Sequence, residues 1–239
     1  ILYQVISVFG VNVDLMAFCS LLTVVLGTLA CFVIYFIGKD MGGRAAGLFS
    51  ALFLALAPSF LQRSSLGFFD TEIPGVLGLV FFIFLFMRAI DQQRSLRSSL
   101  MYSLGAAAAL AYFIAGWGAA YYMLDLTAVF VFVLLILKRY NQRLLITYSV
   151  TFGVALLVAT KVPYIGLGYL TSAPVIPVAA VFLLLIIAEI LRHNISAKTK
   201  LTITVATVTA IVVSIVPLWI LGYLGAIAEK FVSVLDPFV

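Results

Sequence analysis

Long runs of residues without a charge constrain the fold of this chain more than any other feature. The first run lies between Asp14 and Lys39 and holds 24 uncharged residues, enough for a helix to cross the hydrocarbon core of a bilayer. Similar runs recur along the 239 residues, and the charges are grouped between them. Because a segment inside a bilayer must satisfy its own backbone hydrogen bonds, these runs predict α-helices. The sequence therefore predicts an all-α, polytopic transmembrane helical bundle.

Composition agrees with this fold class. The chain is 65% hydrophobic with a mean hydropathy of +1.25, far above the values of soluble domains. Its net charge of +5 does not indicate nucleic acid, because the basic residues lie in the loops between apolar runs. Cys19 and Cys31 lack the spacing of metal ligands. We expect the membrane, and no nucleic acid, among the partners.

About eight spans are predicted in one transmembrane domain that covers residues 1–239. The first span is 15–38, and the Gly-rich segment 39–44 turns the chain back. Gly116-Trp117-Gly118 predicts a tight turn between the fourth and fifth spans. The second span is expected at 45–62, with its end near Pro58. The later spans are expected at 73–90, 98–115, 119–137, 144–160, 172–191 and 201–224, the last with a kink at Pro217. Since the chain does not begin with Met, we expect it to be an internal fragment of a longer protein.

The lysines and arginines predict the orientation of the spans. Eleven of the fourteen fall in alternate loops on one side, and Arg63, Lys161 and Lys230 fall on the other. By the positive-inside rule, the side with eleven basic residues is cytoplasmic. Asp70 and Glu72 are therefore expected on the external face of a multi-pass protein of the cell membrane.

The segment from Arg63 to Glu72 places two carboxylates, Asp70 and Glu72, at the predicted start of the third span. A carboxylate near hydrocarbon loses hydration, and a second one two residues away adds repulsion unless a cation lies between them. A divalent metal ion is the simplest such cation. Alternatively, both acids are ordinary helix-start residues that interact with the positive end of the helix dipole. Spacing alone leaves both explanations open.

Several other polar and aromatic residues have an ordinary structural explanation as well as a functional one. Asp125 lies within the fifth predicted span, where an acid is usually paired or faces a water-filled cavity. Trp117 and Tyr121 are typical of side chains that anchor a helix at the membrane interface. Glu189 and Arg192 are spaced for an ordinary ion pair at a helix end.

The order of several short motifs resembles the catalytic subunit of oligosaccharyltransferase, most of all the archaeal single-subunit enzymes. The motifs are Gly43-Arg44-Ala45-Ala46-Gly47, Ala57-Pro58, Arg63-Ser64 with Gly67 and Asp70-Thr71-Glu72, and Gly116-Trp117-Gly118. The resemblance implies the membrane domain of a GT-C type glycosyltransferase, with these spans as the family's second to ninth. The family's first and last acidic motifs and its C-terminal soluble domain are expected to lie outside this chain.

The resemblance also implies a reaction and a site. An oligosaccharide would pass from a polyprenyl (dolichyl) phosphate or pyrophosphate to the asparagine amide of an Asn-x-Ser/Thr sequence in an acceptor polypeptide. Asp70 and Glu72 would be catalytic and would bind Mn²⁺ or Mg²⁺, since their ligand atoms are oxygens. Arg63 would orient these acids or contact phosphate, and Trp117, Gly118 and Tyr121 would lie beside the lipid-linked oligosaccharide.

Two alternatives remain open. One is another membrane glycosyltransferase that takes sugar from a lipid phosphate and acts on hydroxyl groups. The other is a secondary transporter in which Asp70, Glu72 and Asp125 bind a coupling ion. The transporter is the weaker alternative, because the acid pair is predicted at the edge of the membrane and the sequence shows no inverted repeat.

Overall fold

The computed structural model describes residues 14–172 and 174–192 and a few positions between 198 and 213. Most of the predicted eighth span, the kink at Pro217 and the segment 214–239 lie outside the described residues. The described part contains α-helices and one 3-10 turn, with no strand. The helices form two units, Ile1–Leu124 with Ile146–Leu170, and Asp125–Leu145 with Thr171–Val239.

The first helix, α1, runs from Leu15 to Leu56 and consists of two arms. The Asp14 carboxylate caps its start by accepting a hydrogen bond of 3.1 Å from the Met16 backbone N–H. The backbone leaves helical geometry at Gly42 and Gly43, and Gly43 has φ +83°, a conformation that favours glycine. This turn lies in the predicted 39–44 loop, so the first two predicted spans are confirmed as separate arms.

The two arms pack antiparallel and come close together at glycines. A Cβ added at Gly47 would lie 2.6 Å from the Tyr35 carbonyl oxygen, and one added at Gly38 would lie 2.6 Å from the Ser50 Oγ. Small residues permit such contact, and helices in lipid depend on it because lipid tails provide no hydrophobic force between helices. The arms therefore form a tight helical hairpin.

The second predicted span, 45–62, ends near Pro58 as expected, and residues 58–63 form a separate short helix. The second arm ends at Leu56, Ala57 is extended with ψ 122°, and a short helix α2 follows over Pro58–Arg63. The ring of Pro58 disfavours helical geometry at the residue before it, and proline is well suited to the first position of a new helix. The break delivers Arg63 to the end of α2.

Helices α3, Glu72–Ile90, and α4, Leu96–Gly116, match the third and fourth predicted spans. They pack antiparallel, again with glycines at the contact. Gly78 lies against Tyr112, which an added Cβ would approach to 3.2 Å, and Gly105 lies against Leu85. Helices α1, α2 and α3 share an apolar core around Ala30, Phe60, Ile73 and Val80.

The remaining elements are α5, Ala120–Ile136, α6, Gln142–Ala159, a 3-10 turn at Leu167–Thr171, and α7, Val175–Arg192. These bounds agree with the fifth to seventh predicted spans. Five described helices are long and apolar enough to cross a membrane, with the two-armed α1 as one of them, and α5 is a shorter apolar helix. The predicted multi-pass membrane architecture is confirmed for the described part of the chain.

Polar contacts join helices within each unit. In the first unit, the hydroxyls of Ser99 and Thr147 both donate to the Ala89 carbonyl oxygen, at 2.5 and 3.3 Å. In the second unit, the Tyr140 hydroxyl donates to Glu189 Oε2 at 2.5 Å, and Arg192 Nη1 lies 3.8 Å from the same oxygen. Burial and the hydrogen bond to Glu189 raise the pKa of Tyr140 above its usual value. The predicted Glu189–Arg192 ion pair is thus confirmed.

The hairpin contact predicts a difference between two glycine-to-alanine substitutions. Gly47→Ala should lower the free energy of unfolding by roughly 1–3 kcal/mol, because the methyl group would meet the Tyr35 backbone. Gly153→Ala is the matched control, since among the described residues nothing lies within 4 Å of a Cβ added there. The control should leave stability unchanged or raise it by up to about 1 kcal/mol. Unfolding of the purified protein in mixed micelles, followed by circular dichroism, measures both, and equal stabilities would contradict the close crossing.

Candidate active site

A short connection between α2 and α3 brings Arg63 and the acid pair together. The Ser64 backbone N–H still donates to the Phe60 carbonyl, at 2.8 Å, and so closes α2. Gly67 then takes φ +87°, which permits the chain to reverse its direction. As a result, Asp70 and Glu72 face the Arg63 side chain from the start of α3.

The Arg63 guanidinium lies between the two carboxylates. Its Nε is 3.0 Å from Glu72 Oε2, and its Nη1 is 3.7 Å from Asp70 Oδ2. The same guanidinium lies over the Phe68 ring, 5.1 Å from the ring centroid. The side chains of Arg63, Asp70 and Glu72 are 42, 44 and 32% exposed. Side chains this exposed are accessible to ligands. Because exposed ion pairs contribute at most about 1 kcal/mol each, the cluster adds little to stability.

The two acids have different local roles. Asp70 Oδ1 accepts hydrogen bonds from the backbone N–H and the hydroxyl of Thr71, at 2.6 and 3.3 Å. Glu72 is the first residue of α3 and so lies at the positive end of that helix. The helix-start reading therefore describes their local geometry well, and it does not exclude ligand binding by the same oxygens.

Trp117 lies against the first turn of α3. It ends α4 with an extended backbone, and its N–H donates to the Phe113 carbonyl at 3.0 Å. A Cβ added at Gly75 would overlap the Trp117 ring, with Cδ2 only 2.8 Å away. Gly75 is three residues after Glu72, so the indole lies beside the acid pair along the helix. The predicted turn at residues 116–118 is confirmed as the break between α4 and α5.

Aromatic side chains extend this surface beyond the turn. Gly118 is exposed, and Tyr121, which is 42% exposed, stacks on Tyr169 with the ring centroids 5.6 Å apart. Tyr164 donates a hydrogen bond to the Ala115 carbonyl oxygen near the end of α4. Sequence reasoning missed Tyr164 and Tyr169. Their only signal was aromatic character within a predicted loop.

Asp125 lies within α5, as the sequence predicts. Its Oδ1 is buried, and within the described part of the chain it has no hydrogen-bond partner. Asp125 belongs to the second unit, whereas Arg63, Asp70 and Glu72 belong to the first. Among the described residues, Oδ1 of Asp125 thus has no hydrogen-bond partner. That Asp125 faces a water-filled cavity stays a prediction.

Two carboxylates fit part of a divalent metal site. Among the described residues, no group of three or more His, Cys, Asp or Glu side chains could hold a metal ion. Mg²⁺, however, is commonly bound by one or two carboxylates together with water and substrate phosphate oxygens. Asp70 and Glu72 match that donor set, and a metal ion would compete with the Arg63 guanidinium for the same oxygens.

Comparison with known proteins gives a consistent assignment. The family described as oligosaccharyl transferase STT3, N-terminal, matches residues 1–228. The chain is 30% identical to the dolichyl-diphosphooligosaccharide–protein glycosyltransferase subunit STT3B of Arabidopsis thaliana, a match that covers 86% of this chain and 28% of that protein. It is 26% identical to the subunit STT3 of Saccharomyces cerevisiae, with 95% of this chain and 32% of the relative covered.

The chain therefore spans about a third of the length of these curated relatives. The family match runs through nearly the whole sequence and includes the acid pair, Arg63 and the Trp117 turn. This chain belongs to the oligosaccharyl transferase STT3 family and represents its N-terminal, membrane-embedded region.

Proposed function

We propose that the protein carrying this chain transfers an oligosaccharide from a dolichyl phosphate or pyrophosphate carrier to the asparagine amide of an Asn-x-Ser/Thr sequence. Family membership and the names of the relatives support a lipid-linked donor and a protein acceptor. The observation that carries the proposal is the open cluster of Asp70, Glu72 and Arg63 at the start of α3. It offers both signs of charge to a reaction that has a phosphate leaving group.

In this proposal Asp70 and Glu72 hold Mn²⁺ or Mg²⁺, which would neutralise negative charge on the phosphate leaving group. Both carboxylates are partly exposed, so their oxygens can reach a ligand without unfolding the helix start. Arg63 holds the two acids together before the ligand binds and donates N–H groups to phosphate afterwards. A planar guanidinium is well suited to that second role, since it binds phosphate oxygens through two parallel hydrogen bonds.

The turn after α4 is proposed to contact the lipid-linked oligosaccharide. Trp117 and Tyr121 provide flat aromatic faces, and the exposed Gly118 leaves its backbone accessible to the ligand. Because Trp117 packs on Gly75, this surface has a fixed position relative to Glu72. The donor sugar and the phosphate would then meet adjacent parts of one surface.

The orientation and subtype are inferred from charge and resemblance. We infer that the acid pair faces the outside of the cell membrane, since eleven of the fourteen basic residues fall in the alternate loops predicted on the opposite side. An archaeal, single-subunit enzyme stays our prediction for the subtype. The relatives named above come from a plant and a yeast.

Substitution of the acid pair tests the activity. Asp70→Ala and Glu72→Ala should each lower transfer of oligosaccharide to a fluorescent Asn-x-Thr peptide by about 10²–10³-fold, because each removes a charged group that stabilises the leaving phosphate. The assay uses membranes that contain the intact protein and added lipid-linked oligosaccharide. A chelator should abolish transfer by the unsubstituted protein, and Mn²⁺ or Mg²⁺ should restore it.

Asp14→Ala is the matched control, since it removes an exposed carboxylate from the N-cap of α1. It should retain full activity. Robust transfer by both Asp70→Ala and Glu72→Ala would show that the two acids act only as helix-start residues. No transfer to the peptide by unsubstituted membranes, with transfer to a hydroxyl acceptor or substrate flux instead, would favour the hydroxyl-directed enzyme or the transporter.

The contact between Trp117 and Gly75 generates a second test. Gly75→Ala should displace the indole and raise the KM for the lipid-linked donor about tenfold, a loss of about 1.4 kcal/mol of donor binding. The emission that belongs to Trp117, obtained as the difference from the matching Trp117→Phe protein, should shift in the same variant, and Gly153→Ala should change neither quantity. A shifted emission with an unchanged donor KM would show that Trp117 does not contribute to binding of the donor.

A further inference from the structure

A polar cavity lies at the opposite end of α3 from the acid pair. It has a volume of about 470 Å³ and lies among residues of the first unit. Such a volume falls within the usual range of small-ligand sites. Arg88, in the cavity wall, lies 16 residues after Glu72 on α3, about 24 Å along the helix axis. It is therefore separate from the site proposed for glycosyl transfer.

The cavity has one charged wall and one apolar wall. Its apolar lining includes Phe84 and Met87, and its polar lining consists of Asp40, Arg88, Asp91, Gln93 and Arg94. These residues belong to the turn of the α1 hairpin, to the last turns of α3 and to the connection between α3 and α4, which meet at this end. A ligand that fits such a lining has a charged or polar part joined to an apolar part.

Arg88 fixes the charged wall in place. Its Nε and Nη2 donate to the two carboxylate oxygens of Asp40, at 2.7 and 3.1 Å. Its guanidinium lies 4.2 Å from the centroid of the Phe84 ring, and its Nη1 donates to the Tyr102 hydroxyl at 3.4 Å. Asp40 is thus neutralised by a two-bond ion pair, and it does not repel an incoming anion strongly.

Arg94 is less completely engaged. Its guanidinium lies over the Tyr102 ring, 5.2 Å from the centroid, and its Nε is 3.2 Å from Asp91 Oδ2. The Nε is buried, yet within the described residues it makes no hydrogen bond, so the ion pair with Asp91 is misaligned. The Arg94 side chain as a whole is 31% exposed and lines the cavity, so its guanidinium can donate to the oxygen of a bound ligand.

The surrounding charge favours an anion. The turns at this end, residues 39–44 and 88–97, contain five basic residues and two carboxylates. Both carboxylates are ion-paired to arginines. The two segments therefore keep a net charge of +3 at this end of the helices. Basic pockets between transmembrane helices at this depth are suited to phospholipid headgroups.

We propose that this cavity binds the phosphate of an anionic phospholipid, with Arg94 as the main donor. Gln93 and Arg94 contact the phosphate, and the glycerol and first methylene groups pack on Phe84 and Met87. The proposal is independent of the glycosyl-transfer site, because its residues and its ligand are different. Its test therefore measures lipid binding and needs no activity.

Native mass spectrometry of the intact protein in detergent, titrated with dioleoyl phosphatidylglycerol, tests the proposal. We expect saturable binding of one phosphatidylglycerol molecule, weakened about tenfold by Arg94→Gln, and weaker binding of dioleoyl phosphatidylcholine. Arg97→Gln is the matched control, because Arg97 lies three residues further along, in the first turn of α4, and is exposed. It should leave the affinity unchanged, and circular dichroism should show that both variants are folded.

Three results would overturn the proposal. Absence of saturable binding to the unsubstituted protein would remove the site. Equal weakening by Arg94→Gln and Arg97→Gln would show diffuse attraction to a basic surface. Glycerophosphoglycerol, which has the headgroup and lacks the acyl chains, is the soluble probe, and binding as tight as that of the lipid would assign the cavity to a soluble phosphate compound.

Discussion

Close contact between helices at glycines is the constraint on which the first unit depends. Apolar surface that faces lipid gains little by facing another helix, so packing and interhelical hydrogen bonds must hold the helices together. Gly47 brings the second arm of α1 against the Tyr35 backbone, and Gly75 and Gly78 bring α3 against α4. The hydroxyls of Ser99 and Thr147 on the Ala89 carbonyl secure the other end of α3. The position of Trp117 against the start of α3 follows from these crossings. Arg63 is placed by the connection between α2 and α3.

Much of the fold could be predicted because a bilayer requires a nearly fixed length of apolar helix. The bounds of α3 and α4 follow from charged or proline-containing segments on either side, and the hairpin turn follows from Gly42 and Gly43. The sequence also predicts the end of the second span near Pro58, and the restriction that proline places on the residue before it accounts for the break at Ala57. It does not predict the separate helix α2, since an apolar run reads the same whether its helix is continuous or interrupted.

The site could be predicted only in part. Local spacing indicated that Asp70 and Glu72 form a pair, and it correctly placed them at a helix start. It did not place Arg63 between them or Trp117 on Gly75, because those contacts depend on how each helix is rotated about its axis. A helix that is apolar on all sides carries little signal for that rotation. The same limit applies to Arg88 and Asp40, which lie 48 residues apart in the sequence and form an ion pair.

The packing of the Trp117 indole on the first turn of α3 has a thermodynamic consequence. The ring leaves no room for even a methyl group at Gly75, so movement of the indole requires movement of the helix start that carries Glu72. Any molecule that shifts the ring on binding would thereby change the affinity of the carboxylates for a cation. Because such linkage is reciprocal, the cation would change the affinity for that molecule by the same factor. In the site proposed above, the cation and the lipid-linked donor would then bind cooperatively, through a single aromatic contact.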